Sequence, residues 1–155
     1  MIYTADPAVK FWREQEGKPY FYGAEGLGEW DCSGLYRQGL IRAGVWPMKG
    51  DAGVAGIWAS DKFIHVEFED RKAGDAIIYG NTRSGDAFHM TCVLSFSELI
   101  GANGGFPPRG FGTTKQEPLD EYRARIKERG SRVRITGPEY WSTARLGVVR
   151  PPLFI

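Results

Sequence analysis

Six positions between Asp31 and Gly44 constrain the fold more than any other stretch of the chain. Cys32, Leu35, Tyr36, Gly39, Leu40 and Ala43 recur at i, i+3, i+4, i+7, i+8 and i+11. That spacing lines up one face of an α-helix, and Arg37, Gln38 and Arg42 fall off the stripe. Asp31 is a suitable N-cap, because its side-chain oxygen accepts from an amide of the first turn. A helix of this kind needs a second layer against which to bury its stripe. It also places Cys32 in the first turn, where the partial positive charge of the helix start favours thiolate over thiol.

The remaining elements follow from local signals. A first helix is expected over "DPAVKFWREQEG" (6–17), with Asp6 as cap, Pro7 in the first turn, Gly17 at the exit, and Ala8, Phe11 and Trp12 on one face. A Gly-punctuated aromatic loop, "KPYFYGAEGLGEW", joins it to the stripe helix. "GVAGIWASDKF" (53–63) suggests a short helix. "AGDAIIYG" (73–80), "FHMTCVLSF" (88–96) and "SELIGANGG" (97–105) read as three strands. "EPLDEYRARIKERG" (117–130) reads as a helix with Leu119, Tyr122 and Ile126 inward. "SRVRI" alternates as a strand with Val133 and Ile135 inward, and "VVRPPLFI" is extended. Helices first and an antiparallel meander afterwards give an α+β fold, with the helices packed on one side of a central antiparallel sheet. At 155 residues a single domain over 1–155 is expected.

Composition narrows the function classes. The net charge is +1, which implies no global attraction to nucleic acid or to a membrane. No apolar run approaches the ~18 residues of a membrane-spanning helix. "MIYTADPAVKFWREQ" lacks the basic-then-apolar pattern of a signal peptide, so action outside the cytoplasm would need delivery by something else. The two cysteines, Cys32 and Cys92, lie 60 residues apart and make neither a disulfide framework nor a CxxC site. A Cys/His zinc site would need Cys32, Cys92, His65 and His89 together, so no zinc site is expected. Cys92, among Met and Val on a strand, reads as packing, and His65 reads as structural. Tyr20, Tyr22 and Trp30 are candidate core or cleft-wall aromatics, Trp30 above all.

A cysteine opening a helix, followed by a histidine on a later strand, has the layout of a Cys–His dyad. The thiolate attacks a carbonyl, the imidazole takes and returns a proton, and a third polar group holds the imidazole in its useful tautomer. The local sequence around each part adds to the spacing. "PYFYGAEGLGEWDCSGLY", "GDAIIYG", "HMTCVL" and "ELIGANGG" occur in that order. They resemble the "PYxYGG", "DCSGLV", "GDLVFF" and "HVGIY" blocks, and the following strand, of the NlpC-type cell-wall peptidases, a papain-like family of bacteria and phages. The resemblance runs over roughly residues 8–105, and the Asp-Cys-Ser-Gly block with its upstream loop is its specific part. "HMTCVL" departs from the small apolar pattern after the histidine.

The resemblance implies Cys32 as nucleophile and His89 as general base. It implies Tyr20 as a cleft residue that supports the oxyanion or touches substrate, with Asp31 and Ser33 lining the substrate cleft. The Cys32 amide is a candidate oxyanion donor. The third family residue falls on Gly101, which has no side chain to offer. Asn103 lies two residues on and shares the face of 101 in a strand, so its carbonyl oxygen can accept from the ring N–H. Glu98 is the other candidate.

The implied activity is hydrolysis of an amide in the peptidoglycan stem peptide, at the bond following D-glutamate, through a thioester, with no metal or organic cofactor. The expected setting is a phage tail or tail-like particle, with tail-tip or hub proteins as partners; cytoplasmic residence until lysis is the alternative. A structural tail protein that keeps the fold without activity, and a related Cys–His amidase or acyltransferase on another substrate, stay open. The basic run Arg123, Arg125, Lys127, Arg129, Arg132 and Arg134 reads as a solvated face, or as a contact with anionic wall polymer or a partner protein.

Overall fold

The structure is a computed structural model that describes residues 2–20, 25–26, 29–50, 52–103, 109–110, 114–152 and 154. In chain order its elements are α1 (Asp6–Glu14), β1 (Glu25–Gly26), β2 (Glu29–Trp30), α2 (Cys32–Arg42), α3 (Val54–Ala59), β3 (Ile64–Val66), β4 (Ala76–Gly80), β5 (Ala87–Ser95), β6 (Glu98–Asn103), α4 (Leu119–Arg129), β7 (Arg132–Thr136) and β8 (Arg145–Arg150). Tyr22, and the last two residues expected in the third strand (104 and 105), lie outside the described residues.

α2 begins as its sequence dictates. Asp31 is extended and its carboxylate accepts from the Gly34 amide at 2.7 Å. Leu35, Tyr36 and Leu40 are fully buried along the stripe. Each such side chain contributes about 1.5–3 kcal/mol through burial. Gly39 lets α1 come close: a Cβ there would overlap the Trp12 indole. The indole nitrogen donates to the Leu35 carbonyl at 2.9 Å, and the Trp12 ring stacks on Tyr36.

Two helix expectations need correction. Asp6 does not cap α1. Ala5 holds the cap position with helical backbone and no side-chain cap bond, so Asp6 already lies within the first turn. There its charge complements the helix dipole. α1 itself closes at Glu14, with a turn carrying the chain to Gly17. Leu119 is not part of the inner face of α4 but 62% exposed; Tyr122 and Ile126 alone bury that helix. Leu119 is the first residue of α4, beyond the part of the helix that meets the core.

Six strands form one antiparallel sheet in the order β3-β8-β4-β5-β6-β7. β4 to β7 make the expected meander. The C-terminal strand starts at Arg145, earlier than the extended segment read from the sequence, and slots between β3 and β4. Alternation divides the side chains between two faces. Ala76, Ile78, Met90, Cys92, Leu94, Ile100, Ala102, Val133 and Val149 join the core beneath the helices, while Ile77, Tyr79, Val93, Leu99 and Val148 form a second cluster with Phe68 and Tyr140.

The Asp of the "GD" block is a fold residue. Asp75 is fully buried and accepts from Arg150 Nε and Nη2, both at 2.8 Å, and from the Lys72 amide at 2.9 Å. This pair ties the start of β4 to the end of β8. Among the described residues, no helix is long and apolar enough to cross a membrane.

Candidate active site

The site forms where the β5–β6 ladder opens. Pairing between the two strands runs from Ser95–Glu98 to Cys92–Ile100 and ends there. β5 continues along β4 as far as Ala87, and β6 continues along β7 as far as Asn103. His89 and Asn103 thus flank an opening between strands that remain anchored on their outer sides. The start of α2 reaches this opening, and the Met90 amide donates to the Cys32 sulfur. Cys32 is therefore held one residue along the chain from His89.

Asn103 Oδ1 lies 3.0 Å from His89 Nε2. With the carbonyl oxygen facing the ring, Nε2 carries the proton and Nδ1 is the basic nitrogen. Asn103 is 4% exposed, and its Nδ2 has no hydrogen-bond partner among the described residues. The empty position at Gly101 has a use: a Cβ there would sit 2.7 Å from Asn103 Oδ1 and 2.9 Å from Thr91 Cγ2. The side chain of Asn103 leans over the space that glycine leaves. Glu98 is elsewhere, at the opposite end of β6, where it accepts from Arg13 Nη2 at 2.9 Å on the surface.

The other expected residues surround the start of α2. Asp31 serves as its cap. Ser33 follows the cysteine in the first turn, half-buried, and its amide also faces the sulfur. Tyr20 is 5% exposed and bridges Trp30 just before the cap. Its amide donates to the Ser131 carbonyl at 3.2 Å, so the segment 17–20 lies along β7. Trp30 is a core residue whose indole donates to Gln15 Oε1 at 3.0 Å. Cys92 is fully buried in the core. His65 sits at an exposed position of β3, its ring 4.4 Å from that of Trp58. Among the described residues no three His, Cys, Asp or Glu side chains stand together as a metal-binding group.

The protonation state differs from the expectation of a pre-formed thiolate. Burial, and then the nearby Asp31 carboxylate, push the Cys32 thiol up from 9.0 to about 12, against smaller lowering contributions from the amides of Met90, Ser33 and Cys32. Burial pulls His89 down from 6.5 to about 4, with the Asn103 hydrogen bond opposing. The helix start does favour the thiolate, but Cys32 is buried, and its thiolate loses more by desolvation than the dipole returns. At neutral pH the resting pair is thiol and neutral imidazole.

The sequence reading missed an aromatic wall around His89. Tyr79 lies directly across from it on β4, with ring centres 5.6 Å apart, and its hydroxyl is 3.1 Å from Thr91 Oγ1. Tyr140 and Trp141 approach at 6.2 and 5.8 Å, and Phe88 packs on Trp141 at 5.5 Å. Trp141 holds φ 47°, ψ 39°, a left-handed conformation uncommon for a bulky residue. The cross-strand place of Tyr79 is readable from alternation once β4 and β5 are paired. Tyr140 and Trp141, some fifty residues after His89, carry no local signal.

The sequence matches no protein-family model and no curated protein. Solved structures do resemble the fold. An NlpC/P60 family protein from Bacillus cereus superposes with a TM-score of 0.69 at 16% identity, over 97% of this chain and 41% of that one. NlpC2 from Trichomonas vaginalis gives 0.66 at 15% identity, over 96% and 47%. The peptidoglycan hydrolase RipB from Mycobacterium tuberculosis gives 0.63 at 19%, over 94% and 63%. The chain thus spans less than two-thirds of each of these proteins. At these identities the likeness is one of architecture: this chain has the α+β, papain-like fold of the NlpC/P60 proteins.

Proposed function

We propose that the chain is a cysteine peptidase that hydrolyses an amide bond in the stem peptide of peptidoglycan, at the bond following D-glutamate. The observation that carries this reading is the Asn103–His89 contact beside the buried Cys32: a neutral amide fixes one ring nitrogen and leaves the other as a base. The RipB structure, of a peptidoglycan hydrolase on the same fold, supports the substrate class.

The chemistry follows from the groups present. Cys32 transfers its proton to His89 Nδ1 as the sulfur attacks the amide carbonyl. The tetrahedral oxyanion takes hydrogen bonds from the Cys32 amide and the Tyr20 phenol. As the C–N bond breaks, the imidazolium returns its proton to the leaving amine, and a thioester remains. Water, deprotonated by His89, attacks the thioester; the acid product leaves and the thiol is restored. Substrate binding in the opening supplies the binding energy that offsets charge separation in a dry site.

Purified protein incubated with muropeptides, with products read by mass spectrometry, tests the proposal. Cys32-dependent release of fragments cut after D-glutamate is the expected result; intact muropeptides, or cleavage that persists in Cys32→Ala, would overturn it. The same reading places the protein in the cell-wall space as part of a phage tail, in contact with tail-tip proteins. Co-purification with tail particles tests that part separately.

A further inference from the structure

The basic run of α4 and β7 separates into distinct groups. Arg125 is taken by Glu117, its Nε and Nη2 donating to that carboxylate at 2.7 and 2.6 Å. Arg134 Nη2 donates to the Gly130 carbonyl at 3.0 Å. Arg123, Lys127 and Arg132 line a cleft of about 390 Å³ between α4, the start of β7 and the segment at Gly17–Pro19. Arg123 and Lys127 stand four residues apart on one face of α4. The cleft floor is apolar, with Pro19, Ala124 and the buried Ile126. No Asp or Glu is among the described residues that line it. Like charges around a low-dielectric hollow focus a positive potential that concentrates anions.

Its position matters as much as its charge. Arg132 pairs with Asn103 across β6 and β7, and also bridges Pro19. The cleft therefore begins one residue from Tyr20 and one strand from Asn103.

We propose that this cleft is a subsite for a free carboxylate of the peptide substrate, borne a residue or two from the scissile bond. Lys127 and Arg132 hold the carboxylate, and the alkyl stem lies on Pro19 and Ile126. The identity of the substrate rests on the peptidase reading; the charge and shape of the cleft do not. The apolar floor favours a carboxylate on an alkyl stem over a bare anion, which has nothing to place there.

Binding is tested in the Cys32→Ala protein, where cleavage cannot interfere. Calorimetric titration compares a stem tetrapeptide with free carboxylates, the same peptide fully amidated, and inorganic phosphate as competitor. The free acid is expected to bind about tenfold tighter than the amide, from charge-assisted hydrogen bonds. Adding Lys127→Gln and Arg132→Gln is expected to remove that preference and leave the amidated peptide unaffected. Equal binding of acid and amide, or a preference that survives the two substitutions, overturns the subsite. Phosphate that displaces the peptide at equal concentration overturns it in favour of a general anion site. Wild-type cleavage is scored separately. If the preference holds but neither peptide is cut, the subsite stands and the peptidase reading fails. If both peptides are cut equally well through Cys32 and bind alike, the peptidase stands and the subsite fails.

Discussion

The two ends of β6 carry the two polar side chains that compete, in the sequence, to serve His89, and they have opposite environments. Glu98 opens the strand on the surface, charged, with its side chain 42% exposed and an arginine beside it. The hydrogen bond from Arg13, and then the arginine charge, hold its carboxyl below the usual range. Asn103 closes the strand in a buried pocket, uncharged, against an imidazole that burial keeps neutral. A carboxylate at the buried end would stabilise imidazolium and pull a proton onto His89 at rest. An amide fixes the ring orientation and leaves the basic nitrogen empty. The difference teaches that the pocket is built to stay uncharged at rest.

The largest effect expected lies at Cys32, the nucleophile of the proposed mechanism. Cys32→Ala should remove four or more orders of magnitude of turnover, roughly the cost of losing a catalytic nucleophile. Cys92→Ala, in the core, should retain turnover; a muropeptide progress curve for each variant checks both.

Next comes the contrast itself. Asn103→Ala should lower kcat by about 10²-fold, within the range for impaired general acid–base catalysis, with little change in KM. Glu98→Ala should leave both parameters unaltered, and the reverse pattern would exchange their roles. Gly101→Ala sharpens the same point without replacing either side chain. Its new methyl would meet Asn103 Oδ1 and Thr91, so kcat should fall by about tenfold and the fold should lose about 1–3 kcal/mol through overpacking. Denaturant titration beside steady-state kinetics separates these effects.

The pH dependence of stability has a definite sign on each flank. Between pH 6.5 and about 4 the unfolded chain takes up a proton at His89 that the folded chain refuses, so stability should fall as pH drops through that window. Above pH 9.0 the unfolded chain loses the Cys32 proton while the folded thiol keeps it up to about 12, so stability should also fall as pH rises there. Chemical denaturation of wild type and of His89→Ala and Cys32→Ala across pH assigns each flank. Smallest of all is the exposed end: breaking the Arg13–Glu98 pair should leave stability nearly unchanged, as is usual for a solvent-screened surface ion pair.

Much of this was legible in the sequence because the signals are local. The stripe from Cys32 to Ala43 and the cap at Asp31 specify α2 unaided. Turn signals and strand-favouring residues identified three strands of the meander, alternation identified β7, and the two-residue period put Asn103 on the face of Gly101. The parts that were not legible depend on distant segments. β3 is three residues long, and β8 finds its place between β3 and β4 only through long-range pairing. The wall built by Tyr140 and Trp141 depends on how the turn after β7 folds back over Tyr79. The state of the thiol was misread for a related reason: a helix start is visible in a sequence, whereas the depth at which it is buried is not.

The ring nitrogens of His89 give the most direct test. Nitrogen-15 spectra of imidazole-labelled protein at neutral pH should show a neutral ring protonated at Nε2, with Nδ1 bare. That pattern should persist in Glu98→Ala and be lost in Asn103→Ala. An imidazolium at neutral pH, an Nδ1-protonated ring, or a spectrum altered by Glu98→Ala and indifferent to Asn103→Ala would contradict it.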